Sequence, residues 1–418
     1  MFQKVAMQKR VLFFSLIIFF NFSCRKSNDV FYAEDVVSSN NVDLLQGPYD
    51  YLATETPINI SVNANGNYPG VNDLAFIKNI SGSNHSYYHP EVQYFPNGFN
   101  GYKYWMVFTP FGGAVGTYQI SKRYENPTVV VSNNGISWTE PSGIKNPLAM
   151  APDRNESFAE NKVDTIQGYW SDPDWVFTDN MFNLYYRGSM ITAKALKQRG
   201  ADSQNNTDKL KTDAQRTIVR QTSTDGVNWT KLEVAYNSNP PYTPKNSLIL
   251  SPSFINVNGQ FVSYEVELNT GTKNFRGNEL SYIIRRTSKD GLNFTKFTNS
   301  QVINFSATPW KDISAKNAPW HIHATYVDGY YFLCIAAGDV KKSTADLLYL
   351  AYSSDGLNFK VLSKPLIDQN AYRSAIFPMA TSNNTIQFGA IFSYKTGEFK
   401  YKEFKISKSY LDDMIAGE

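Results

Sequence analysis

Cysteine is nearly absent: Cys24 and Cys334 are the two in 418 residues. Cys24 closes a leader segment and is expected to carry a lipid. That leaves Cys334 alone, with no disulfide to form, as a small buried apolar side chain within a strand. Charge is scarce too, with Asp, Glu, Lys and Arg at 18% of the residues. Three of the 40 basic residues (Lys4, Lys9 and Arg10) belong to the leader, and the rest balance the 37 acidic ones. A neutral mature chain gives no electrostatic support to binding nucleic acid or an anionic membrane. The apolar run at 11–20 is too short to span a bilayer. His321 and His323 share one face of a strand, which permits a metal, but no second cluster with ligand spacing accompanies them. No metal and no cofactor are therefore expected.

Aromatic residues, by contrast, reach 15%, as suits a β-rich exoprotein that meets something uncharged and hydroxylated. They recur in a fixed phrase. Asp172-Pro-Asp-Trp-Val-Phe-Thr leads to Asp179-Asn180 and then to Met-Phe-Asn-Leu-Tyr-Tyr-Arg187. Ser251-Pro-Ser-Phe-Ile-Asn-Val leads to Asn258-Gly259, and His321-Ile-His-Ala-Thr-Tyr-Val leads to Asp328-Gly329. Looser copies open at His89, with Asn97-Gly98 and Asn100-Gly101, and at Arg373, with Asn383-Asn384. A second phrase interleaves: Ser132-Asn-Asn-Gly-Ile-Ser-Trp138, Ser223-Thr-Asp-Gly-Val-Asn-Trp229, Ser288-Lys-Asp-Gly-Leu-Asn-Phe294 and Ser353-Ser-Asp-Gly-Leu-Asn-Phe359. Asn-Gly and Asp-Gly supply the positive φ angles of tight hairpins. Two hairpins per repeat make four strands, and five repeats predict an all-β fold: a five-bladed β-propeller with four-stranded antiparallel blades.

The chain divides accordingly. Residues 1–24 are a signal peptide whose end, Asn21-Phe-Ser-Cys24, resembles a bacterial lipoprotein processing site. Residues 25–56, rich in Ser, Asn and Asp, read as a flexible tether. Residues 57–84 offer N-terminal strands (Pro57-Ile-Asn-Ile-Ser and Asp73-Leu-Ala-Phe-Ile) to close the ring, and residues 85–418 form the propeller. Insertions at 142–169 and 189–215 interrupt the repeat, the second with a short helical patch from Thr192.

In such a ring the opening residues of the inner strands, His89, Asp172, Ser251, His321 and Arg373, converge on the central channel. Glu91, Asp174, Ser253 and His323 follow on the same strands. All four histidines (His85, His89, His321 and His323) lie at two of these openings. Asp172 is either a turn residue fixing the strand before Pro173 or a catalytic carboxylate. His321 and His323 are either buried structural histidines or part of a site. Glu125, beside a Gly-rich loop, and Glu265, which shares a strand face with Glu267, are acid candidates. Trp170, Trp310 and Trp320 flank the openings and either pack or stack on sugar rings.

Asp172-Pro-Asp-Trp-Val with its hairpin, Ser-x-Asp-Gly-x-Asn-Trp/Phe, His89-Pro-Glu-Val, Asn100-Gly-Tyr-Lys-Tyr-Trp-Met-Val and Tyr124-Glu-Asn-Pro resemble the blade motifs of five-bladed propeller glycoside hydrolases. These are the arabinanase and xylosidase group (family 43 and relatives), here in a glycosyl hydrolase lipoprotein subgroup. The likeness spans 85 to about 407. In that group an Asp base opens blade one, a second Asp opens blade two and a Glu acid opens blade three. This chain matches with Asp172 only, having His89 and Ser251 at the other two. Some relatives use histidine as the proton donor.

The resemblance implies a monomeric glycoside hydrolase acting on an oligo- or polysaccharide by acid/base chemistry. The catalytic set is Asp172, Glu125, Glu265 and His321, with His89, Glu91, Asp174, Trp170, Trp320, His323 and Arg373 as substrate contacts. The alternative is a non-catalytic glycan-binding lipoprotein. Either is expected at the outer membrane or surface of a Gram-negative bacterium, touching the membrane only through lipidated Cys24.

Overall fold

The computed structural model describes residues 48–62, 87–110, 127–149, 157–158, 163–192, 215–237, 247–269, 281–295, 302–306, 318–338 and 345–416. Among these residues the regular structure is strand, apart from one helix, Lys408–Ala416. Five hairpins supply the inner strands of five blades. Tyr87–Phe99 pairs with Tyr102–Pro110 (blade I), Val163–Thr178 with Met181–Thr192 (blade II) and Ser247–Val257 with Gln260–Asn269 (blade III). Ala318–Val327 pairs with Tyr330–Gly338 (blade IV) and Ala375–Thr381 with Thr385–Ser393 (blade V). The inner strands touch in cyclic succession, blade V against blade I included, so the ring is closed.

The turns form for the reason their sequences suggest. Asn100-Gly101, Asp179-Asn180, Asn258-Gly259 and Asp328-Gly329 have positive φ at both central residues, the geometry that matches the twist of a two-residue hairpin. The Ser-x-Asp-Gly-x-Asn turns are a separate hydrogen-bonded unit. In blade II, Ser223 donates to Asp225, whose carboxylate accepts from the backbone of Val227 and Asn228 and from the Asn228 amide. The same bonds recur around Asp290 and Asp355.

The blades depart from four antiparallel strands in one respect. Asn59–Ser61 and Asn304–Ser306 lie parallel to the outer strands of blades I and IV. These segments arrive from elsewhere in the chain rather than by a hairpin, so nothing forces them antiparallel. Blade III has three described strands, and Val302 bridges to Ile284 at its outer edge. Ring closure starts upstream of residue 57: Asp50–Tyr51 and Thr56–Pro57 pair with Phe399–Ser407 of blade V, and Asn59–Ser61 then joins blade I. One segment therefore stitches the last blade to the first. The other strand candidate, 73–77, the leader with Cys24, and residues 193–199 of the helical patch lie outside the described residues.

The apolar core is not at the axis but in the seams between blades. Trp105 and Val107 of blade I meet Trp175 and Phe182 of blade II. Tyr185 of blade II lies face to face with Phe254 of blade III, ring centroids 3.9 Å apart. Equivalent clusters join III to IV, IV to V and V to I. Each Asp-Gly turn also leans on the preceding blade. Tyr185 donates to the Gly291 carbonyl and Tyr264 to that of Gly356. A Cβ on Gly226 would stand 2.2 Å from the Trp105 ring.

Gly226→Ala and Gly259→Ala separate the two demands on these glycines. Both have left-handed φ (+74° and +83°), but a Cβ at Gly259 meets nothing within 4 Å. Gly259→Ala is expected to cost about 1 kcal/mol of backbone strain. Gly226→Ala should cost roughly 1–3 kcal/mol more from overpacking. Urea unfolding measures both, and equal losses would show that the seam yields freely.

Candidate functional site

Three openings share a local device. His89-Pro90, Asp172-Pro173 and Ser251-Pro252 each form a bulge in which two inner-strand residues face one on the partner strand. Proline has no N–H to give to a ladder, so it belongs at such a break. The residue before it takes positive φ, 57° at His89, 51° at Asp172 and 48° at Ser251. This is strained for a side chain other than glycine. The bulge re-aims that side chain toward the axis. In blade IV, Trp320 is the extra residue and His321 follows it.

The result is a cluster of three side chains from three blades. Asp172 Oδ1 lies 3.2 Å from His89 Nε2 and 3.5 Å from His321 Nδ1. Its other oxygen, Oδ2, accepts from Arg187 Nη2 at 2.8 Å and from Ser171 Oγ at 2.9 Å. His89 Nδ1 is 2.7 Å from Thr109 Oγ1. Tyr372 packs its ring on both imidazoles, 4.6 Å from His321 and 5.5 Å from His89, and Trp320 meets His321 edge-on. Burial opposes charge on Asp172, but His89, the fixed cation of Arg187 and His321 hold its carboxyl well below the ordinary value. Burial also pushes His89 down to about 4 and His321 well below its usual value, against the pull of Asp172. Near neutral pH the cluster is thus one carboxylate and two neutral imidazoles.

That is the charge state and spacing a divalent cation requires. The three donor atoms lie within 4.8 Å of one another. Ligands held about 2.1 Å from one ion stand roughly 3.0–3.5 Å apart. Asp172 Oδ1 and His321 Nδ1 have no hydrogen-bond partner among the described residues. The expectation of no metal rested on there being no second ligand cluster in the sequence; folding supplies candidate partners by bringing His89 and Asp172 onto His321.

Two residues further along the same strands lies a second layer. His323 Nε2 is 2.6 Å from Glu91 Oε2, and the Ile376 N–H points at His323 Nδ1. Arg373 donates to Asp174 Oδ2 and to the carbonyls of Pro173 and Ile322. Asp174 also accepts from Ser253 Oγ and the Phe254 N–H. Burial raises the carboxyls of both Glu91, to about 8, and Asp174. Arg373 offsets part of this rise at both carboxyls, and Ser253 and the Phe254 N–H also converge on Asp174.

His89, Asp172 and His321 are therefore the expected site residues that meet. Glu91, Asp174 and His323 lie beneath them. Arg373, fully buried, clamps blades II, IV and V together instead of holding substrate. Glu265 is not at the site: it sits in the seam between blades II and III, accepting from Tyr236 and Arg286. Trp170 is 1% exposed, with its edge to Tyr186, and packs rather than stacks on sugar. Trp320 remains beside His321. Glu125, His85 and Trp310 lie outside the described residues. Arg187, Thr109, Ser171 and Tyr372 went unread. Arg187 was legible, since counting seven residues either side of Asp179-Asn180 sets it opposite Asp172. Thr109 was not, because register shifts in blade I displace the count.

No protein-family model matches the chain. It is 25% identical over 340 residues to an A type blood N-acetyl-α-D-galactosamine deacetylase of Flavonifractor plautii, a match covering 74% of this chain and 40% of that protein. It thus spans less than half the length of its curated relative. A crystal structure of an F. plautii N-acetylgalactosamine deacetylase with blood group B trisaccharide superposes with TM-score 0.58 at 18% identity, over 85% of this chain and 96% of that one. A thermostable family-43 glycoside hydrolase gives TM-score 0.45 at 12% identity, over 78% and 94%. The chain shares the fold of that deacetylase structure.

Replacing Arg373 by Met would leave Asp174 buried without its cation. The variant should lose roughly 3–5 kcal/mol in chemical denaturation. A loss under about 1 kcal/mol would show that the axis does not depend on this pair.

Proposed function

We propose that this chain is a carbohydrate-active hydrolase that removes the acetyl group from an N-acetylated sugar, with His89, Asp172 and His321 holding a divalent cation. The convergence of two neutral imidazoles and one charged carboxylate from three blades carries this reading. When bound, the cation polarises a carbonyl and lowers the pKa of a bound water. The chain's own residues prepare that chemistry. Arg187 and Ser171 fix Asp172 through Oδ2, so that Oδ1 faces the imidazoles. Thr109 and Tyr372 hold the histidine rings. The deacetylase relative supports an amide as the bond cleaved.

Glycosidic hydrolysis is the second reading. It is favoured by carboxyls in unlike environments: Asp172, held low by its neighbours, and Glu91 and Asp174 beneath it, raised by burial. The products decide between the two. With oligosaccharides ending in N-acetylhexosamine, acetate release without new reducing ends is expected. Chelation should abolish it and a divalent cation restore it. Asp172→Asn should lower turnover by at least about 100-fold. New reducing ends without acetate would establish the glycosidase, and tight binding without either product a glycan-binding protein.

We also propose that the protein is a lipoprotein held at the outer membrane or cell surface through Cys24. Among the described residues no helix is long and apolar enough to cross a membrane. Cys24→Ala should move the protein from the membrane to the soluble fraction, and continued membrane association would rule out this anchor.

A further inference from the structure

Thr109 is the penultimate residue of the second strand of blade I, fully buried, directly across from Tyr88. Its hydroxyl touches two groups: His89 Nδ1 at 2.7 Å and the Tyr88 carbonyl at 3.4 Å. A hydroxyl has one proton to give and lone pairs to accept with, whereas a carbonyl can only accept. The proton of Thr109 therefore goes to Tyr88, and Oγ1 accepts from His89 Nδ1–H. A neutral imidazole has no second N–H, so Nε2 presents a lone pair to Asp172 Oδ1, 3.2 Å away. Two electron-rich atoms at that distance suit a cation held between them. Were Thr109 to donate to Nδ1 instead, the proton would sit on Nε2. His89 and Asp172 would then be a hydrogen-bonded pair, and His89 Nε2 would have no lone pair to offer a metal.

We propose that Thr109 is a positioning residue that fixes His89 as the Nδ1–H tautomer and so makes Nε2 a ligand for a divalent cation. This rests on the metal-binding reading of the His89–Asp172–His321 cluster. The bulge that aims His89 inward also sets this contact. Tyr88 is opposite Thr109 while Glu91 is opposite Val107, so the ladder skips at His89-Pro90 and leaves the imidazole beside the hydroxyl.

Two measurements on the full chain test it. Long-range proton–nitrogen NMR of ¹⁵N-histidine protein reports the tautomer of each of the four histidines, with His89 assigned by its loss in His89→Gln. Calorimetric titration with Zn²⁺ reports metal affinity. In the metal-free wild type His89 should carry its proton on Nδ1. Thr109→Val, nearly the same shape, should bind Zn²⁺ about 10–100-fold more weakly. Thr109→Ser, which keeps the hydroxyl, should return to within a few-fold of wild type. Thermal melting checks that Thr109→Val is folded, and if it is not, the wild-type tautomer and the Ser variant still decide. A proton on Nε2 in the wild type overturns the proposal. So does unchanged Zn²⁺ affinity in Thr109→Val, which leaves the metal site itself intact. A wild type that binds no Zn²⁺ overturns the ligand role together with the metal reading.

Discussion

The guanidinium of Arg373 lies on the axis of the ring, where blades built from separate stretches of chain must agree on a common distance. It donates to carbonyls of blades II and IV and to the Asp174 carboxylate, while Ser253 of blade III joins Asp174 to the Ala324 N–H of blade IV. These bonds are short-range and directional, in contrast to the apolar seams, which tolerate sliding. The seams supply the bulk of the burial and the axis sets the register of one blade against the next. Polar groups gather at the axis because strand openings expose backbone carbonyls there, and a buried carbonyl has to find a donor.

The two layers of the channel use the same residue types with opposite results. Each combines carboxylate and imidazole from blades I, II and IV at a spacing of two residues, which keeps successive side chains on one face of each inner strand. In the lower layer an arginine stands among them and provides a positive charge. In the upper layer Arg187 engages Oδ2 of Asp172 from the side, and among the described residues the facing donor atoms converge on a point away from that cation. An arginine-braced layer below and a convergent donor set above suit a site that must keep its geometry through a reaction.

Strain is placed where the chemistry is proposed. His89 and Asp172 hold positive φ within bulges, and both are buried. Ser251 has the same conformation but donates to the Ile322 carbonyl and belongs to the framework. The device is therefore a property of the blade, and the residue placed on it decides whether it carries chemistry.

The sequence by itself determined the number of blades, their turns and the openings that face the axis, because hairpins are local. Asn-Gly or Asp-Gly fixes the turn, and period two fixes which residues face each other across it. For that reason Asp172, His89 and His321 were legible as neighbours, and Arg187 lay within reach of simple counting. Only the tertiary structure decided the rest. Glu265 and Trp170 carry site-like residue types yet fall in seams, since blade packing determines which face of a second strand meets its neighbour. Thr109 depends on a register shift that no residue pattern announces. The protonation of His89, Asp172 and Glu91 is set by burial and by charges brought from other blades, and neither exists until the ring has closed.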